Sequence, residues 1–204
     1  MMKPQTPAGL PAKAWETVCT YVQDEGLRRH ILAVAAAMRW YATELGYDPD
    51  TWEAVGLLHD FDWEIHPNLN EHPTQGAPIL RAAGWDEAII RTILSHYTAG
   101  TGVERRDPID FALLACDEIT GLIIAVTLVR PSKDVREVAL SSVRKKWKDS
   151  RFAGGVDRAH VAEVTEDFSQ ACFGGELALW THIGNVLVAM QGAAATLDLD
   201  GRLA

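Results

Sequence analysis

Apolar residues recur at helical spacing along almost the whole chain, whereas the alternating pattern typical of β-strands is scarce. The sequence therefore predicts an all-α fold. Glycine, proline and capping residues interrupt the pattern and mark where helices begin and end. The expected helices cover residues 11–22, 26–45, about 51–60, 85–97 and 108–130, with another after Pro73 and three more after residue 130.

Local signals refine these boundaries. Gly46 is expected to end the second helix, and Asp50 or Thr51 to cap the third. Pro78 should kink the helix after Pro73 or delay its start, because proline cannot donate a backbone hydrogen bond. Residues 98–107 are expected to form a loop.

Composition limits the class of protein. The chain has 204 residues, of which 48% are hydrophobic, which is enough for one domain with a real core. Its net charge of −9 argues against general nucleic-acid binding, which depends on Lys and Arg at phosphates. Three separated cysteines without a CxxC motif are typical of reduced thiols. The N-terminus has no apolar signal segment, and the longest apolar run, 121–129, is too short for a bilayer. We expect a cytoplasmic protein without a membrane partner.

Four titratable side chains fall on the apolar faces of four different helices: His30, His59, His96 and Asp117. One buried histidine is ordinarily a hydrogen-bonded core residue, but Asp is seldom fully buried without a partner. A shared divalent metal would supply the charge that makes the burial of all four tolerable. Mixed nitrogen and oxygen ligands suit Fe, Mn, Zn or Ni rather than Ca.

The order of these residues resembles a known signature. His30, the adjacent pair His59–Asp60 and Asp117 are similar to the H…HD…D pattern of the HD superfamily of metal-dependent phosphohydrolases, with the apolar lead "AVGLLHD" before the pair. The stretches "LVRPSKD" and "SVRKKWKDSRFAGGVDR" resemble a small bacterial branch of predicted hydrolases of this superfamily. The resemblance implies a single helical bundle. It would have an N-terminal tail at 1–10, an HD-domain core at 11–130 and a helical extension at 131–204 packed on that core.

The resemblance also implies a ligand set. The first metal would be held by His30, His59, Asp60 and Asp117. In two-metal members two further histidines lie between the HD pair and the last Asp, and His72 and His96 occupy these places. The Asp60 carboxylate would then bridge both ions, so that His59 and Asp60 carry the catalytic centre. A binuclear site is expected, and a single ion is the alternative.

One position departs from the family pattern. Many relatives read HDIGK, with a phosphate-binding Lys, whereas this chain has Trp63 in that place. Other cations would then have to bind the phosphate group, and the candidates are Arg105, Arg106, Arg130 and Lys133.

Further charged residues near the motif and in the C-terminal part admit more than one interpretation. Asp62 and Glu64 either orient water and act as acid–base groups or belong to a polar loop. The basic cluster Arg144–Lys148 is more typical of a solvated helix face, and its role is left open.

The activity implied by the resemblance is hydrolysis of a phosphomonoester or phosphodiester by a metal-activated hydroxide, with a nucleotide as one candidate substrate. Two alternatives stay open: a di-iron, O2-dependent oxygenase on the same fold, and a non-catalytic HD-domain binding module. The apolar last helix, with Leu177, Trp180, Val186 and Met190, can pack within the chain or form a homodimer.

Overall fold

A computed structural model describes residues 9–204. The predicted all-α class is confirmed, since this part of the chain forms ten α-helices, one 3-10 helix and no strand, with one isolated bridge between Asp134 and Asp200. The predicted tail at 1–10 lies outside the described residues except for Gly9 and Leu10, and Leu10 already belongs to the first helix. The helices are α1 (Leu10–Tyr21), α2 (Glu25–Leu45), α3 (Pro49–Leu58), α4 (Gly76–Ala82), α5 (Glu87–Ser95), α6 (Thr98–Thr101), α7 (Pro108–Leu128), the 3-10 helix Val135–Glu137, α8 (Leu140–Trp147), α9 (Arg158–Phe173) and α10 (Leu179–Gly192).

Capping residues account for most of these boundaries. The Asp24 side chain accepts a hydrogen bond from the Leu27 amide and begins α2, while Gly46 ends it in the left-handed conformation at φ 76°. The cap of α3 is Asp48 rather than the predicted Asp50 or Thr51, because Pro49 fits the first helical position.

Several predicted boundaries were wrong by a few residues. Helix α3 ends at Leu58, so that His59 and Asp60 follow its last turn, and α5 ends at Ser95, directly before His96. The predicted loop 98–107 contains the four-residue α6. Pro78 lies in the first turn of α4, which begins at Gly76, and the predicted delay after Pro73 is confirmed.

Helix α7 lies at the centre of the bundle. It packs against α2, α8, α9 and α10, and α2 packs in turn on α3 and α10. The run 121–129 is too short to span a bilayer, but α7 as a whole has the length and composition of a membrane span. Most of its side chains are covered by other helices, which accounts for their apolar character.

A buried polar link joins α10 to the two helices it packs on. His182 is fully buried, accepts a hydrogen bond from the Tyr41 hydroxyl at 2.7 Å and donates from Nε2 to the Ala115 carbonyl at 2.8 Å. Burial lowers the pKa of His182 to about 4, so the ring is neutral at pH 7. His182 is therefore a core histidine.

This link predicts a pH-dependent stability. The unfolded chain binds a proton at His182 below the ordinary histidine pKa of 6.5, whereas the folded chain does so only below about 4. Acid therefore favours unfolding, and His182 should contribute a loss of about 3 kcal/mol between pH 7 and pH 4. Denaturant unfolding of the wild type and of His182→Gln, both in excess chelator, measures it. As the pH is lowered from 7 to 4, the free energy of unfolding should fall more steeply in the wild type than in His182→Gln. Parallel pH profiles would contradict the assignment.

Candidate metal centre

Five segments bring six polar side chains to one place in the bundle. His30 comes from α2, His59 and Asp60 from the end of α3, and Asp117 from the middle of α7. His72 lies in the turn before α4, and His96 directly follows α5. All six residues predicted as ligands from the sequence are thus neighbours in the structure.

The first group surrounds one point with nitrogen and oxygen atoms. His30 Nε2 lies 3.0 Å from Asp117 Oδ1 and 3.6 Å from Asp60 Oδ2. His59 Nε2 lies 3.3 Å from His30 Nε2, 3.4 Å from Asp60 Oδ2 and 3.5 Å from Asp117 Oδ1. The four predicted ligands of the first metal therefore point at each other.

The second group shares a residue with the first. Asp60 directs its other oxygen, Oδ1, to His72 Nε2 at 3.3 Å and to His96 Nε2 at 3.9 Å. The two ring nitrogens are 3.0 Å apart. The Asp60 carboxylate thus presents one oxygen to each group.

Two histidines are oriented by the carbonyl oxygens of the helices they follow. His59 Nδ1 donates to the Gly56 carbonyl at 2.8 Å, and His96 Nδ1 donates to the Ile93 carbonyl. Both bonds engage Nδ1, so Nε2 of each ring is directed into the centre.

The other two histidines have side-chain acceptors. The Thr120 hydroxyl donates to the Asp117 carbonyl at 2.7 Å and accepts from His30 Nδ1 at 3.3 Å. His72 Nδ1 donates to Asp62 Oδ1 at 2.8 Å. All four rings therefore turn Nε2 toward the centre, as metal-binding histidines do.

The proximity of acids and imidazoles shifts their pKa values. Burial opposes the charged form of His59, but Asp60 and Asp117 outweigh it and hold its pKa well above the usual range. Burial likewise opposes charge on His72, yet Asp60 and Asp62 raise its pKa to about 9. Burial also disfavours the ionised forms of Asp60 and Asp117, but the histidines hold both pKa values well below the usual range. Without metal the centre is thus held together by ion pairs.

The donor set fits a divalent transition metal. Donor atoms of His30, His59 and Asp60 lie within 4.8 Å of one another, and so do those of Asp60, His72 and His96. Imidazole nitrogen with carboxylate oxygen suits Fe, Mn, Zn or Ni. His59 is fully buried, whereas the side chains of His30, Asp60 and Asp117 are 22%, 17% and 19% exposed. The centre is therefore open to solvent beside the first group.

The structure gives the predicted phosphate-binding cations other partners. Arg106 pairs with Asp107 at 3.3 Å before α7, and Arg130 pairs with Glu137 at 3.8 Å after it. At a helical rise of about 1.5 Å per residue, the ends of α7 beside these arginines lie about 14 Å and about 17 Å along the helix from Asp117.

The two remaining predicted cations also contact groups outside the centre. Lys133 Nζ donates to the Leu203 carbonyl at 2.6 Å. Arg105 lies 3.5 Å from the Thr98 hydroxyl and 3.9 Å from Asp167. The structure does not bring the four cations together, and their role in substrate binding stays a prediction.

Asp62 and Glu64 have roles that sequence reasoning missed. Asp62 is fully buried against His72 rather than facing water. Glu64 accepts hydrogen bonds from the amides of Gln23 and Asp24 at 2.7 and 2.9 Å, and so joins this segment to the start of α2. Both carboxylates have partners in these contacts, and an acid–base role for either stays a prediction. The polar-loop interpretation was closer for Glu64, and no local pattern pointed to the contact of Asp62.

Comparison with known proteins finds a domain family that matches part of the chain. Residues 27–121 match the family model of the HD domain. Relatives that match include Ribonuclease Y of Thermotoga petrophila, of Thermotoga sp. strain RQ2 and of Thermotoga maritima, each 36% identical over 74 residues. The match covers 36% of this chain and 15% of each relative, so the chain spans a small part of their length. No solved structure matches the chain at a significant level.

The centre predicts proton release on metal binding. His72, with a pKa of about 9, carries a proton at pH 7 that a metal must displace. The affinity for Mn²⁺ should therefore rise from pH 7 toward pH 9, by about tenfold per pH unit for each proton displaced. Calorimetric titrations in buffers of different ionisation enthalpy measure both affinity and proton release. Equal affinities at pH 7 and pH 9 would contradict the prediction.

Proposed function

Because residues 27–121 form an HD domain, we propose that this chain is a metal-dependent phosphohydrolase acting on a phosphomonoester or phosphodiester, with a nucleotide as one candidate. HD domains bind divalent metals, and this chain has two His/Asp groups that could hold them. The observation that carries the proposal is the position of Asp60, whose two carboxylate oxygens face the two groups separately.

The chain's own residues divide the work. A bound divalent metal supplies Lewis acidity and lowers the pKa of a coordinated water. His59 and Asp60 hold the ligand geometry from one rigid turn at the end of α3, with His59 fixed by the Gly56 carbonyl. Asp117 and His30 would hold the metal on the solvent-facing side of the centre, where a phosphate group can approach. The burial of His59, His72 and His96 keeps bulk water away from the other side.

The relatives support one class of bond. Their name, Ribonuclease Y, describes enzymes that cleave a phosphodiester, and we extend that bond class to this chain as a proposal. The net charge of −9 favours a small phosphate ester over a long nucleic acid as the substrate. We propose a cytoplasmic location on the grounds given by composition and cysteine spacing.

Asp60→Asn should abolish turnover. The amide nitrogen cannot act as the second anionic oxygen, so the variant keeps a neutral oxygen for one group and loses the ligand of the other, while its size is unchanged. We expect activity to fall at least about 1000-fold, as with the loss of a catalytic metal ligand. Release of nitrophenol from nitrophenyl phosphate and bis-nitrophenyl phosphate, with Mn²⁺ or with chelator, measures it.

Asp50→Asn is the matched control, since this half-exposed carboxylate pairs with Arg39 on the surface. It should retain activity within about twofold. If the metal-loaded wild type turns over neither ester nor a panel of nucleotides, the non-catalytic binding module becomes the better account.

A di-iron, O2-dependent oxygenase is the second candidate. Trp63 stands where many HD proteins have a phosphate-binding Lys, and Arg106, Arg130 and Lys133 have partners away from the centre. Both observations favour a substrate without phosphate. Protein purified without oxygen from cells supplied with Fe and Mn should contain two irons and consume O2 with substrate if it is an oxygenase. Phosphate release that proceeds equally well without O2 would exclude this candidate.

A further inference from the structure

Asp62 and Trp63, two adjacent residues of the turn after α3, both contact the ring of His72. Asp62 Oδ1 accepts from His72 Nδ1 at 2.8 Å. The Trp63 ring meets the His72 ring edge to face, with centroids 5.0 Å apart and planes at 84°. His72 is 2% exposed, although it lies in a turn rather than on a helix. Its orientation therefore depends on these two contacts.

The Asp62 carboxylate is buried with a single partner. Its side chain is fully inaccessible, and Oδ2 has no hydrogen-bond partner among the described residues. Burial of a carboxylate is costly unless a charge or several hydrogen bonds compensate for it. Within residues 9–204 the one hydrogen-bond partner of this carboxylate is His72, so Asp62 interacts with that ring specifically.

Gly76 makes room for this carboxylate. A Cβ atom at position 76 would lie 2.4 Å from Asp62 Oδ2, which is closer than any tolerated contact. Gly76 begins α4, four residues after His72. The absence of a side chain at this position thus permits the Asp62–His72 contact.

His72 differs in this respect from the other three histidines. The rings of His59 and His96 donate to backbone carbonyls, and His30 donates to a hydroxyl, all of which are neutral acceptors. Of the four rings, that of His72 alone donates to a carboxylate. A carboxylate acceptor fixes the ring and strengthens it as a metal ligand more than a neutral acceptor does.

We propose that Asp62 is a positioning residue that sets the affinity of the second metal position, formed by His72, His96 and Asp60. The inference rests on the proposed function, because it assumes that the centre binds metal. The first position, at His30, His59 and Asp117, does not depend on Asp62. Loss of an outer partner of a metal-bound histidine typically costs 10- to 100-fold in affinity.

The experiment is Mn²⁺ titration of the full chain, with calorimetry for the two affinities and electron paramagnetic resonance for a coupled ion pair. The wild type should bind two ions and give the coupled signal. Asp62→Asn keeps an oxygen acceptor and should lower the affinity for the second ion about 10-fold. Asp62→Ala removes the acceptor and should lower that affinity about 100-fold. In both variants the affinity for the first ion should stay within about twofold of the wild type. At the same Mn²⁺ concentration, both should give the resonance signal of an isolated ion.

A change at Gly76 provides an independent variant. Gly76→Ala displaces the Asp62 carboxylate without changing its chemistry. It should also lower the affinity for the second ion and leave the affinity for the first ion unchanged. Gly192→Ala is the matched control, since a Cβ there meets nothing within 4 Å, and both affinities should be unchanged. If none of the three site variants folds, proton NMR of the wild type decides: a solvent-protected imidazole N–H that is lost in His72→Gln supports the contact, and its absence overturns it.

The outcomes separate the two proposals. If the Asp62 variants lower both Mn²⁺ affinities equally, or leave the second affinity unchanged, the proposed role of Asp62 is overturned. The phosphohydrolase proposal is unaffected by either result. A wild type that binds a single ion overturns the second position and this inference alone. A wild type that binds no Mn²⁺, Fe²⁺ or Zn²⁺ overturns the proposed function itself.

Discussion

The carboxylate of Asp60 faces two histidine groups at once, and this contact depends on how the helices of the bundle pack around it. Imidazoles and carboxylates are stable inside a protein when each has a charged or hydrogen-bonding partner. Here these partners come from α2, α5 and α7, so the crossing of these helices with the end of α3 must be accurate. Gly56 permits the closest crossing, since a Cβ there would lie 2.7 Å from the Ala35 Cα of α2. A small residue one turn before His59 thus brings α3 against the helix that carries His30.

Contacts outside the centre hold the segments that supply its ligands. Glu64 binds the amides that precede α2, and so ties the turn after Asp60 to the helix of His30. Arg91 on α5 pairs with the buried Asp110 on α7 at 2.7 Å, which links the helix before His96 to the helix of Asp117. Each ligand segment is therefore joined to another by a polar contact as well as by apolar packing. The geometry is built on rigid elements, as a preorganised site requires.

Most of the fold and four of the candidate ligands could be predicted from local patterns in the sequence, whereas Asp60 and His72 were indicated by the resemblance to the HD superfamily. Helical periodicity identified α2, α5 and α7, and a polar residue on an apolar face identified His30, His96 and Asp117. The contacts of Asp62 and Glu64 could not be predicted, since each depends on a partner in another segment. The ion-pair partners of Arg105 and Arg130 could not be predicted for the same reason. The cap of α3 was misplaced by two or three residues, because two acidic residues, Asp48 and Asp50, flank a proline.

The link from Tyr41 through His182 to Ala115 has a consequence for how the chain can be divided. The family match ends at residue 121, in the middle of α7, while His182 and Phe168 cover Tyr41 from the part that follows. A fragment cut at that boundary would break the central helix and leave the tyrosine hydroxyl and the Ala115 carbonyl without their partner. The segment that matches the family model therefore ends inside a packed helix, and the later helices cover part of its core.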